Sequence, residues 1–286
     1  MRATSKPCPT VPLAQTRRRI VDIAAQEWGF FGFRIVDQTQ MDLSIETARR
    51  NSARIGQPRP RRGGDPMEGE RVASTIAGYW AVTPEGPGIV AQQNKAWNGP
   101  FGLGARWESA WSAAFISWVM CEAGLGDSGQ FKRAVAHMTY IDQAIRARDQ
   151  KNAAAFLAYD RGETSVEPGD LLCSGARPIF RSLAERRRQL GQGARGHCDI
   201  VVQVEPDDRR ILTIGGNVGG RVSLKVQPAE VSKKGHLAPR NEAIFAHLKL
   251  RAPALSPDAL TESPTMQSRA SLAAGAPKVP VLDSPR

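Results

Sequence analysis

Two apolar periods divide this chain. Up to about residue 150 the apolar side chains recur every three or four positions, and beyond Pro168 they alternate. The first pattern calls for amphipathic helices and the second for half-buried strands. Helices first and an antiparallel sheet second is the order of an α+β fold. Ile20, Ile23, Ala24 and Glu27/Trp28 mark a first helix. Val72, Ile76 and Trp80 mark a second that ends before Pro84, and Val135, Met138, Ile141 and Ile145 mark another within 131–149. Between the last two lies RWESAWSAAFISWVMCEAG (106–124), in which Phe115, Ile116, Val119 and Ala123 fall on one stripe with Ser112. Ser112 is therefore expected at the first turn of a helix, on its buried face.

In the second half, Pro168-Gly169-Asp170 turns the chain into the strand LLC, and HCDIVVQVE, RRILTIGG and RVSLKVQ follow as strands separated by Pro/Asp or Gly/Asn turns. Alternation in GHCDIVVQVE puts His197, Asp199, Val201 and Gln203 on one face and Cys198, Ile200, Val202 and Val204 on the core face. The expected organisation is one domain over 16–250 with a polar insertion at 37–66. Disordered segments are expected at 1–15 and 251–286, where Pro and Ser abound and no apolar period appears.

With 286 residues and 41% hydrophobic content the chain has enough apolar surface for one good core. Its formal charge of +11 favours polyanionic surroundings, but the basic residues fall in small scattered clusters without a nucleic-acid motif. No specific nucleic-acid partner is expected, and no run is long enough to span a membrane. The four cysteines form no CxxC pair, so neither a disulfide framework nor a zinc ribbon is indicated. A reduced compartment, no metal and no cofactor are the expectations. The first residues show no apolar signal-peptide core, which leaves location open between the cytoplasm and export by a non-standard route.

Three residue types in chain order suggest chemistry. A hydroxyl at a helix start (Ser112) lies where unpaired N–H groups favour developing negative charge. His197 opens a strand and Asn217 sits in the glycine-rich turn after the next one. Nucleophile, base and orienting residue are the parts needed for base-assisted acyl transfer. Each also has an ordinary account: a serine caps helices, a histidine is often structural, and Asn with Gly supplies turn geometry. Trp107, Glu108, Trp111, His137 and Asp199 are candidate substrate-binding side chains. Cys121 lies about two and a half helical turns from Ser112, too far to replace it.

The segments WSAAFISWVMCEAG, PGDLLC, GHCDIVV and IGGNV resemble those of the domain-of-unknown-function 2272 family. That family is similar to the NlpC-type and CHAP-type amidases of papain-like fold. The resemblance covers roughly residues 17 to 250, less the polar insertion. It implies a papain-like α+β fold, with N-terminal helices packed on an antiparallel sheet. It also implies hydrolysis of an amide in a cell-wall (peptidoglycan) peptide or related peptide. Ser112 matches the nucleophilic cysteine of the amidases, His197 the general base and Asn217 the orienting residue. Serine departs from the amidase pattern, because a hydroxyl stays protonated until attack whereas a thiol beside histidine ionises readily. Two other readings stay open: a non-catalytic peptidoglycan-binding protein of the same fold, and a basic nonspecific nucleic-acid binder. An immunity protein is the implied partner if the chain is a secreted effector.

Overall fold

A computed structural model of the chain describes residues 7–54 and 66–275. In chain order the helices are α1 (Leu13–Phe30), α2 (Ile45–Arg54), α3 (Pro66–Ala81), α4 (Gly86–Trp97), α5 (Ser112–Glu122), α6 (His137–Gln150), α7 (Leu183–Arg187) and α8 (Pro264–Gly275). The strands are β1 (Ile35–Asp37), β2 (Phe156–Tyr159), β3 (Leu171–Arg177), β4 (Arg195–Glu205), β5 (Arg210–Val218), β6 (Arg221–Val231), β7 (Leu237–Pro239) and β8 (Ile244–Leu250). The fold is a mixed α+β arrangement around an open mixed sheet of order β1-β6-β5-β4-β3-β8-β2, with β7 on β6. Among the described residues only β1 runs parallel to its neighbour, and the remaining pairs are antiparallel.

The apolar stripes read from the sequence meet in the main core. Ile20 and Ala24 of α1, Val72 and Ile76 of α3, Phe115, Ile116 and Val119 of α5, and Ile141 and Ile145 of α6 join Cys198, Ile200 and Val202 of β4. Helices α1, α5 and α6 lie on the sheet, and α3 packs on α5. Val201 and Val204 lie in a second, smaller cluster. Alternation had placed Val204 with Val202, but a bulge between Val201 and Gln203 shifts the register and turns Val204 to the other side.

A buried ionic network fastens α1 to the sheet. Arg17 donates from Nη1 to Asp170 Oδ1 at 2.8 Å and to the Pro168 carbonyl at 2.7 Å, and from Nη2 to the Leu250 carbonyl at 2.6 Å. His247 Nε2 lies 2.8 Å from Asp170 Oδ2, and the Leu250 N–H donates to Asp170 Oδ1. Burial by itself would raise the Asp170 pKa, but hydrogen bonding to His247 and the neighbouring positive charges overcome it and hold the carboxyl below its usual 3.8. PGD is thus the anchor of β3 as well as a turn.

Several expectations are corrected. Cys8 is bonded to Cys121 and Cys173 to Cys198, so the expected reduced thiols are disulfides. Spacing did not reveal them because Cys173 and Cys198 meet as opposed residues of β3 and β4, while Cys8 reaches the end of α5 from 113 residues away. Residues 7–12 of the expected disordered start are held by that bond, and α1 begins at Leu13; residues 1–6 lie outside the described residues. The 37–66 insertion includes α2, whose first turn Ser44 caps by accepting the Thr47 N–H, while 55–65 lie outside the described residues. The Gly/Pro run after Pro84 opens α4, since proline is at ease in a first helical turn.

The expected tail is also packed, as far as Met266, and continues as α8 to Gly275, while 276–286 lie outside the described residues. Ala259, Leu260 and Ser263 are buried. Arg18 donates to the Ala259 carbonyl and to Glu262, and Val204 N–H to the Pro257 carbonyl. A few apolar contacts and backbone hydrogen bonds suffice for docking without any helical period in the sequence.

Two outcomes follow. Truncation after residue 252 should lower the melting temperature by several degrees, read by calorimetry, because it uncovers the α1 face and part of β4. Asp170→Asn should cost about 3–5 kcal/mol in urea unfolding, the range for stranding a buried charge such as Arg17. The carboxylate is held low, so its contribution is complete above pH ~4 and fades as pH falls through the folded value.

Candidate active site

Ser112 is the first residue of α5. The first intrahelical bond of α5 runs from the Phe115 N–H to the Trp111 carbonyl at 3.0 Å. This leaves the N–H groups of Ser112, Ala113 and Ala114 without intrahelical acceptors, at the positive end of the helix dipole. The Ser112 hydroxyl is 2.7 Å from Nε2 of His137. His137 is itself the first residue of α6, so two helix N-termini meet here. One turn on, the Tyr140 hydroxyl is hydrogen-bonded to Nδ1 of the same imidazole. His137 is buried; desolvation first, and the neighbouring His197 second, push its pKa well below the ordinary histidine value.

The second imidazole stands alongside. The rings of His137 and His197 have centroids 5.4 Å apart. His197 Nε2 lies 2.8 Å from Asp199 Oδ1, and Lys225 Nζ donates to Asp199 Oδ2 at 2.8 Å. Burial would raise the Asp199 pKa, but Lys225 and His197 more than offset it and hold the carboxyl far below its usual range. Asp199 is therefore charged, and Nε2 of His197 must be the nitrogen that bears hydrogen and donates to it. Its Nδ1 keeps the lone pair and has no hydrogen-bond partner among the described residues.

Glycines make room for this group. A Cβ on Gly215 would run into the Asp199 carboxylate and come within 3.0 Å of His197 Nε2, and one on Gly216 would meet Phe115 Cβ at 2.6 Å. The IGGN motif thus serves two neighbours: Gly215 clears space for the His197–Asp199 pair, and Gly216 lets α5 settle on β5.

The structure brings Ser112, His137, His197 and Asp199 together and leaves Asn217 outside. Asn217 has φ of 58°, in the left-handed region, and makes no hydrogen bond to His197 among the described residues. Asp199 has the orienting place expected for Asn217, because it shares a strand face with His197 two residues away, whereas Asn217 lies beyond the register shift after Gly215. Asp199 and His137, expected to bind substrate, are instead buried partners of His197 and Ser112. Trp107, Glu108 and Trp111 line a cleft of about 670 Å³ with Asn217, Val72, Ile76 and Arg106. Trp111 is its floor, stacked on Phe31 at 5.8 Å.

Sequence reasoning missed Tyr140 and Lys225, and it did not place His137 against Ser112. A signal for the first existed: His137 and Tyr140 are three apart on one helix and so share a face. Lys225 comes to Asp199 across β5, from a strand two places over in the sheet, and no local pattern announces that.

Residues 70–250 match the family model described as uncharacterized protein conserved in bacteria (DUF2272). The chain belongs to this family. The DUF2272 stretch runs from within α3 to the end of β8 and holds every site residue named above, while α1 with Arg17 lies before it. No curated protein and no solved structure matches the chain.

The low His137 pKa has a measurable consequence. The unfolded chain takes up a proton there near pH ~6.5, and the folded chain does not until well below it. The contribution is complete above that pH and is lost as pH falls toward the folded value. Between about pH 7.5 and 5, wild type should lose roughly 1–2 kcal/mol more than His137→Gln in urea unfolding. Parallel curves for the two proteins would show that His137 is protonated in the folded state.

Proposed function

We propose that this DUF2272 protein is a serine hydrolase of an amide bond in a peptide. The substrate that the NlpC/CHAP-like resemblance favours is a cell-wall peptide, and the papain-like relationship is part of this proposal. What supports the reading most is a hydroxyl at a helix N-terminus, bonded to one imidazole whose ring centroid lies 5.4 Å from that of a second, which a charged carboxylate orients. A serine that merely caps a helix has no need of either ring.

In the proposed reaction His197 Nδ1 takes the proton of Ser112 Oγ as that oxygen bonds to the carbonyl carbon, and the carbonyl π electrons move to its oxygen. Free N–H groups at the start of α5 are the donors available to that oxyanion. Collapse of the intermediate expels the amine, which takes its proton from His197. Water then attacks the acyl ester, giving its proton to His197, and the carboxylic acid leaves as Ser112 recovers a proton. Asp199 stays ionised and stabilises the imidazolium. The cleft beside Trp107 and Trp111 offers an apolar floor with Arg106 and Glu108 at its edge for the substrate chain. The two disulfides fit work in an oxidising compartment.

Mass analysis of purified cell wall after incubation tests the reading. Ser112→Ala should abolish release of fragments while leaving the melting temperature within a few degrees, since the lost hydrogen bond is worth on the order of 1 kcal/mol. Ser112→Cys should retain activity and become sensitive to iodoacetamide at that position. Undiminished hydrolysis by Ser112→Ala would overturn the nucleophile assignment.

A further inference from the structure

The proposed mechanism leaves one imidazole without a task, and it is the one bonded to Ser112. Its protonation state is open to a donor and acceptor account. The Tyr140 hydroxyl is buried, and its hydrogen-bond partner among the described residues is Nδ1 of His137. A buried O–H that found no acceptor would cost about 1–3 kcal/mol, so the phenol donates its proton to Nδ1. A neutral imidazole has one hydrogen, and with Nδ1 accepting, that hydrogen sits on Nε2. The 2.7 Å contact to Ser112 then has His137 as donor and Oγ as acceptor.

We infer that His137, locked by Tyr140 in its Nε2–H form, is a fixed hydrogen-bond donor to the Ser112 oxygen rather than its base. The direction of the bond has two effects. Ser112's own proton is turned away from His137 and is free to meet a different acceptor, which suits the Nδ1 lone pair of His197. As Oγ loses that proton, the Nε2–H bond to it strengthens, because charge-assisted hydrogen bonds are about twice as strong as neutral ones. His137 keeps its hydrogen throughout, so no proton is transferred to it. Tyr140 is a positioning residue that acts through the imidazole. The surroundings agree: among the described residues no carboxylate is bonded to His137, unlike His197, and its ring is buried among α5, α6 and β4, where an imidazolium would be poorly solvated.

The catalytic part of this inference rests on Ser112 being the nucleophile; the tautomer does not. Nitrogen NMR of the uniformly ¹⁵N-labelled full chain at neutral pH separates the two. His137 should show hydrogen on Nε2 and a bare Nδ1, and Tyr140→Phe should bring the other tautomer into view. Hydrogen on Nδ1 of His137 in the wild type would overturn the inference whether or not the protein hydrolyses anything. In wall hydrolysis, His137→Gln presents an amide N–H near the Nε2 position and should stay within about tenfold of wild type. His137→Ala should fall on the order of a hundredfold or more, the loss typical of removing one donor to a developing charge. A His137→Gln variant that melts like wild type yet is as inactive as Ser112→Ala would show His137 to be the base. Loss of the hydrolase reading itself appears separately, as activity that Ser112→Ala does not change.

Discussion

The site depends on how closely α5 can approach the sheet. Phe115, one helical turn into α5, lies against the bare backbone of Gly216 on β5, at a separation that leaves no room for a Cβ. Burying that ring contributes about 1.5–3 kcal/mol, and the contact fixes the height and rotation of the helix above the strands. With α5 seated there, its N-terminus opens beside α6, where the Ser112 hydroxyl meets His137. A methyl group at residue 216 would lift the helix and move Ser112 with it.

Around that contact the elements bearing the reactive groups are tied down individually. The Cys8–Cys121 bond holds the far end of α5, and Cys173–Cys198 joins β3 to β4 next to His197. The Arg17–Asp170–His247 network binds α1 to the starts of β3 and the end of β8. Buried ion pairs of this kind add little net stability compared with apolar packing, but they tolerate few alternative geometries. Under the proposed hydrolase reading the rigidity of this supporting shell matters, because a nucleophile, a donor and a base would have to keep hydrogen-bond distances.

The electrostatics divide the two histidines by environment. His137 is desolvated, faces a phenol and stays neutral; His197 is partly open and is paired with a carboxylate that Lys225 keeps ionised. Two chemically identical rings 5.4 Å apart thereby hold the same Nε2–H tautomer for different ends, one pointing its hydrogen at Ser112 and the other at Asp199.

The sequence by itself determined the order of the fold, the buried face of α5 with Ser112 at its start, and the alternation that puts His197 and Asp199 side by side. Those features depend on a repeat of 3.6 or of 2 residues and are readable within a few turns or a strand. It also located the glycine turn, though not its purpose: Gly215 and Gly216 matter for what stands opposite them, which a one-dimensional pattern does not contain. Only the tertiary structure decided that Ser112 bonds His137, 25 residues on, that Asp199 and not Asn217 bonds His197, and that Lys225 pairs with that carboxylate. The disulfides and the docked segment after residue 252 belong to the same class. Each is a contact between segments far apart in the chain, set by strand register and helix seating, and neither of these is written in local periodicity.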